Sequence, residues 1–144
     1  MRDYEDPLSL NKTTSLFDYN CYGFAFHSLD WEEPAHYDLG QKPEKMLSEC
    51  VKDILREHPD YKLCGSYNDV PESEDCVGFR ISVYKYPQCE DEVVGDFHFI
   101  LRHKGKWYHK PGSWEIEEVN FEIEEPWPHH NKPYNSEIHW FTRG

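Results

Sequence analysis

Long apolar runs are missing from this 144-residue chain: nothing approaches the ~20 consecutive apolar residues of a membrane span, and Met1 to Pro7 holds no apolar signal core. The expectation is a soluble, cytoplasmic product, with export as an effector or phage product by a route needing no cleaved signal left open. Positive charge is scarce as well. Fifteen Lys and Arg face 28 Asp and Glu, a formal net charge of −13, whereas phosphate binding needs a basic footprint. Nucleic acid and anionic membranes are therefore not the expected partners. Cysteine pairs at metal-binding spacing are also lacking. The five cysteines (Cys21, Cys50, Cys64, Cys76 and Cys89) are odd in number, irregularly spaced and free of any C-x-x-C pair. Neither a disulfide framework nor a zinc ribbon is indicated, and a reducing compartment fits. No internal repeat or composition break divides the chain, which reads as one domain over 1–144 with an arm at 1–19.

What the chain does have is aromatic surface. Apolar residues make up 38% and aromatics 16% of it, enough to bury a core despite a negative mean hydropathy. The acid is concentrated in Glu72 to Asp75, Glu90 to Glu92, Glu115 to Glu118 and Glu122 to Glu125. These runs read as solvated loops and strand edges, or alternatively as a docking surface for a basic protein.

Apolar spacing sets the elements. A first helix is expected from Asn20, a good N-cap, through Tyr22, Phe24, Ala25, Phe26 and Leu29, stopped by Pro34. Gly23 inside it costs about 1 kcal/mol relative to Ala, which close packing of a strand or substrate would explain. Met46, Leu47, Cys50, Val51, Ile54 and Leu55 recur at helical spacing between Pro43 and Pro59, predicting an amphipathic helix with Cys50 as a buried thiol. Val77, Phe79, Ile81 and Val83 alternate as in a strand with one buried face. Phe97 to Arg102 and Lys106 to Lys110 form a hairpin around Lys104-Gly105, and Ile116 to Ile123 and Ile138 to Phe141 are weaker strands. Gly65 to Asp75, Pro87 to Gly95 and Glu125 to Pro133 are loops. The fold class is α+β, a helix packed on a small antiparallel sheet.

Three residues of this pattern carry chemistry. Cys21 opens the first helix, where unpaired N–H groups favour the thiolate and can receive an oxyanion. His98, on a strand whose Phe97 and Phe99 face the other way, is placed to act as general base. His109 follows eleven residues later across the turn, so pairing can bring it to His98 as the residue that orients the base. Asp96, on the same face as His98, is the rival orienting residue, because a one-residue slip in register would remove His109 from that face. Taken singly, each also fits an ordinary structural side chain.

Asn20-Cys21-Tyr22-Gly23-Phe24-Ala25, Asp96-Phe97-His98-Phe99-Ile100-Leu101-Arg102 and Gly105-Lys106-Trp107-Tyr108-His109-Lys110-Pro111-Gly112 together resemble a group of small bacterial and phage proteins. Those carry Asn-Cys-Tyr-Ala, Asp-Tyr-His-Phe-Tyr-Arg and Trp-Ser-His-Lys-Pro-Gly, and resemble the papain-like cysteine peptidase superfamily near the NlpC-type cell-wall peptidases. The resemblance covers about a sixth of the chain. It implies a papain-like fold with Cys21 as nucleophile, His98 as base and His109 as orienting residue, with no cofactor or metal. Asn20 and Tyr22 become candidates for oxyanion or orienting roles. Gly23, Ile100-Leu101 and Tyr108 depart from the pattern and bear on substrate preference.

Arg102, Trp107, Lys110 and Trp127 are candidate substrate-binding residues, Arg102 and Lys110 through a substrate carboxylate or, in the competing reading, through ion pairs with neighbouring acids. Trp127, Pro128, His129 and His130 form a cleft wall, a metal-binding loop or an ordinary Pro-stiffened loop. The leading expectation is a cysteine hydrolase that cleaves an amide or isopeptide bond through a thioacyl intermediate, the resemblance suggesting a peptidoglycan stem peptide. The alternatives are an acyl transferase acting on proteins and a non-enzymatic acidic inhibitor or binding protein on the same scaffold. A metal-binding regulator is a third class.

Overall fold

The computed structural model describes residues 4–35, 37, 42–85, 91–128 and 133–143. The alternation at 77–83 becomes a long strand, β2 (Cys76–Tyr84), paired antiparallel with β3 (Val93–His103). β3 turns through Lys104 and Gly105, at φ 51° and 80°, into β4 (Lys106–His109). Both turn residues are left-handed, as a two-residue hairpin whose twist matches its strands requires. β1 (Tyr61–Cys64), β5 (Glu117–Glu118) and β6 (His139–Arg143) complete a six-stranded antiparallel sheet in the order β1-β6-β2-β3-β4-β5.

Two strand expectations change, and one strand, β1, was not expected. Tyr61–Cys64 has too few residues to show a period, and it becomes a strand only because β6 pairs with it. The expected strand at Ile116 to Ile123 shrinks to β5, since after the bond from Val119 N–H to the Trp107 carbonyl the chain leaves the sheet. The stretch read weakly as Ile138 to Phe141 is an interior strand, β6, with β1 on one side and β2 on the other.

The helix at 43–57 forms as its spacing predicts. Pro43 opens it, where a missing N–H leaves nothing unpaired, and Met46, Leu47, Cys50 and Ile54 make its buried stripe. Asp53 is also buried in that stripe, bonded to Arg56. The arm before Cys21 is not a loose lead. It folds into short turns and α1 (Leu10–Thr13), and Tyr4, Leu10 and Tyr19 are core residues.

The helix that Cys21 opens is shorter than its apolar run suggests. α2 spans Cys21–Ala25, and α3 is the Pro43–Glu57 helix. α2 ends because His27 takes φ 61°; its N–H bonds the Phe24 carbonyl while Ser28 N–H bonds that of Gly23. That pair of bonds is a Schellman stop. The chain then doubles back so tightly that a Cβ on Gly23 would lie 1.9 Å from the Asp30 carbonyl oxygen. Gly23 is therefore required by the chain's own return loop, not by a strand or a substrate.

The helices cover one sheet face with Tyr22, Phe24, Phe26, Phe79, Phe99 and Phe141. The loops cover the other with Val70, Ile100, Trp127, Tyr134 and Trp140. A polar clasp joins arm, helix and sheet: Asp75 accepts from His27 Nε2 and His103 Nδ1, each at 2.7 Å. His103 Nε2 reaches the Tyr4 carbonyl, and the Tyr4 ring stacks on His27. Among the described residues, no helix is long and apolar enough to cross a membrane.

Candidate active site

Cys21 is the first residue of α2. Asn20 caps the helix by accepting from Gly23 N–H at 3.1 Å and donates its own amide to the Glu32 carbonyl at 2.6 Å. Its side chain is thus committed to holding the turn around Cys21, although it borders the same cleft.

The alternation of β3 turns Phe97 and Phe99 toward the helices and His98 toward the loop-covered face, which by itself would set His98 and Cys21 on opposite sides of the sheet. The sheet is incomplete here, and that resolves the difficulty. β4 pairs with β3 only as far as Ile100↔His109. Beyond that pair the β3 edge faces α2, and the Phe99 backbone hydrogen-bonds the Cys21 sulfur. Cys21 therefore sits at the sheet's edge, where it and His98 line one cleft of about 940 Å³.

Burial dominates the thiol. It pushes the Cys21 pKa up to about 12, with the Asp96 charge adding to the rise, while hydrogen bonds from the backbones of Phe99, Tyr22 and Cys21 itself pull it down. The expectation that the helix start favours the thiolate is corrected: a five-residue helix has little macrodipole, and desolvation outweighs three N–H groups. The resting sulfur is a neutral thiol surrounded by donors.

The register brings His109 to His98 as one of the two alternatives required. Residues 98 and 100 share a face, His109 lies opposite Ile100, and His98 Nε2 meets His109 Nδ1 at 2.9 Å. Asp96, also on the cleft, accepts from Tyr134 O–H at 3.1 Å and from Phe97 N–H at 2.8 Å. The position on Nε2 thus belongs to His109. Burial lowers the His109 pKa, opposed by the carboxylate of Glu117, which lies 3.2 Å from Nε2.

Two residues of this site went unrecognised in the sequence. Glu117 lay in an acidic run read as solvated, and only the β4–β5 pairing His109↔Glu117 singles it out. Tyr134, in the Pro-rich loop, stacks on His98 with ring centroids 5.0 Å apart. It has no local signal, since its neighbour is 36 residues away in sequence.

Five other candidates lie elsewhere. Tyr22 is in the core, stacked on Phe99, and donates to Glu57 at 2.8 Å. Arg102 is buried and spends its guanidinium on the carbonyls of Tyr67, Val70 and Pro71. Lys110 is fully buried and donates to the carbonyls of Leu16, Tyr19 and Gly112, each at 2.6 Å. Neither cation is available to a substrate or paired as read: backbone oxygens hold both. Trp107 packs between Tyr67 and Trp140 on the loop-covered face of the sheet, and Trp127 is buried behind His98. Pro128 does border the cleft, whereas His129 and His130, like Cys89, lie outside the described residues. Among the described residues no group of three His, Cys, Asp or Glu side chains is set to hold a metal ion.

Chemically, the arrangement offers a sulfur close to backbone N–H donors, an imidazole on the same cleft, a second imidazole on that ring's Nε2 and a carboxylate beyond it. Comparison with protein-family models, with curated proteins and with solved structures found no match for this chain.

Proposed function

We propose that the protein is a papain-like cysteine hydrolase that cleaves an amide or isopeptide bond, with Cys21 as nucleophile, His98 as base and His109 as the residue that orients it. The observation that carries this reading is the 2.9 Å contact of His98 Nε2 with His109 Nδ1 on the cleft that Cys21 lines. A buried histidine pair has no packing advantage over apolar side chains, so placing one beside a nucleophile favours chemistry.

In this mechanism the neutral thiol gives its proton to His98 as the sulfur attacks the substrate carbonyl. The carbonyl oxygen takes up negative charge beside the N–H groups at the start of α2. His98 then protonates the leaving amine, leaving a thioester on Cys21. Water attacks it, His98 taking the water's proton; the carbon–sulfur bond breaks, the acid departs, and His98 returns that proton to the Cys21 sulfur. Because burial holds the thiol neutral, proton transfer accompanies attack instead of preceding it. A peptidoglycan stem peptide is the first substrate to try, on the strength of the motif resemblance; a protein acyl acceptor in place of water would make the same site a transferase.

The test is turnover of muropeptides and isopeptide-linked peptides, followed by mass spectrometry. Cys21→Ala is expected to abolish cleavage with an unchanged melting temperature. His98→Ala should lower kcat about 10³-fold and His109→Ala less, about 10- to 100-fold. Full turnover by Cys21→Ala would sink the mechanism.

A second reading has its own observation: Cys21 is only 5% exposed, as suits a protein that binds but does not react. Stable capture of a basic protein by both wild type and Cys21→Ala, with no cleavage of either substrate class, would favour it.

A further inference from the structure

Glu117, one of an acidic run along the chain, ends a line of side chains running from the cleft: His98 Nε2 to His109 Nδ1 at 2.9 Å, then His109 Nε2 to Glu117 Oε1 at 3.2 Å. Two independent features hold this line in place. The cross-strand pair His109↔Glu117 fixes the carboxylate opposite the ring, and Phe121 meets the His109 ring edge-on at 5.4 Å and 81°.

An ionised carboxylate only accepts hydrogen bonds, and a neutral imidazole carries one proton on one of its two nitrogens. Facing Glu117, His109 must carry that proton on Nε2. Its Nδ1 is then a lone pair, so the partner nitrogen, His98 Nε2, must be the donor. His98 in turn keeps Nδ1 unprotonated.

We propose that Glu117 is a positioning residue that sets the tautomers of both histidines, leaving Nδ1 as the unprotonated nitrogen of His98. On the hydrolase reading, which this inference rests on for its functional meaning, that nitrogen is the one that takes the Cys21 proton. A donor in place of Glu117 would reverse the polarity of the line: facing that donor, His109 Nε2 would be left unprotonated, Nδ1 would donate, and His98 would carry its proton on Nδ1 with no base left for the thiol. Gln, whose amide can present either end, would allow both arrangements. Glu117 is partly solvent-exposed, with 45% of its side chain accessible, so these exchanges leave the core untouched.

The tautomers are read directly from long-range 1H–15N correlation spectra of the imidazoles at pH 8, without any substrate. Wild type is expected to show Nε2–H on both His98 and His109, Glu117→Lys to show Nδ1–H on both, and Glu117→Gln a mixture. A wild-type spectrum with Nδ1–H on His109 overturns the proposal, and needs no variant to fold. So does an unchanged pair of tautomers in folded Glu117→Lys. With a cleaved substrate in hand, Glu117→Lys should lose at least tenfold in kcat with KM little changed, and Glu117→Gln should recover much of it. Tautomers that switch in a protein that cleaves nothing would uphold the role of Glu117 while counting against the hydrolase reading.

Discussion

A single atom decides the conformation around Cys21. Gly23 lacks the Cβ that would sit 1.9 Å from the Asp30 carbonyl, and backbone cannot give way as a flexible side chain does. Gly23→Ala would remove a residue unfavourable in helices, yet it is expected to destabilise by about 2 to 3 kcal/mol through overpacking, measured as a lower urea midpoint. A stabilised variant would mean that the return loop at 27–30 is free to move. Lys110 fastens the segment that leads into Cys21. Burial pulls its pKa down to about 8, but its three carbonyl acceptors tie the arm at Leu16 and Tyr19 to the turn at Gly112. In the motif His109-Lys110, one residue faces the cleft and the next fastens the segment that delivers Cys21, as the alternation of an extended chain dictates.

At the scale of elements, three segments meet at Asp75: the arm through Tyr4, the end of α2 through His27 and the end of β3 through His103. Burial pushes the Asp75 carboxyl up, but hydrogen bonds and charge from the two histidines prevail and hold it below its ordinary value. For a carboxyl depressed in the folded state, stability is fully present above the unfolded pKa, about 4, and is lost as pH falls through the lower folded value. Asp75→Asn is therefore expected to be less stable by about 2 to 3 kcal/mol at pH 7, and to lose less further stability than wild type between pH 5 and 2. Denaturant titrations of both proteins across that range check it; parallel curves would show that the carboxylate's charge plays no part. The clasp was not legible in the sequence, because Tyr4, His27, Asp75 and His103 share no spacing.

For the whole molecule, the controlling element is β6. It lies between β1 and β2, buries Trp140, Phe141 and Thr142, and supplies the pairing partner without which β1 has none in the sheet order. Removing residues 139–144 leaves two strand edges exposed inside the sheet and strips both faces of core residues. The shortened chain is expected to show no cooperative thermal transition by circular dichroism; retention of a sharp transition would mean that β2 to β5 and the helices fold as a unit without it.

Short-range physics is what could be read along the chain. The stripe of Met46, Leu47, Cys50 and Ile54 specifies α3, the alternation at 77–83 specifies β2, and Lys104-Gly105 specifies the hairpin that sets His109 beside His98. Each is a matter of repeat or turn geometry within a few residues. Tertiary structure alone decided the rest. Glu117 and Tyr134 join the site through pairings made elsewhere in the chain, and Arg102 and Lys110 leave it because buried backbone carbonyls claim them. Cys21 becomes a neutral thiol for the same reason: solvation is a property of the assembled fold, and no spacing along a chain encodes it.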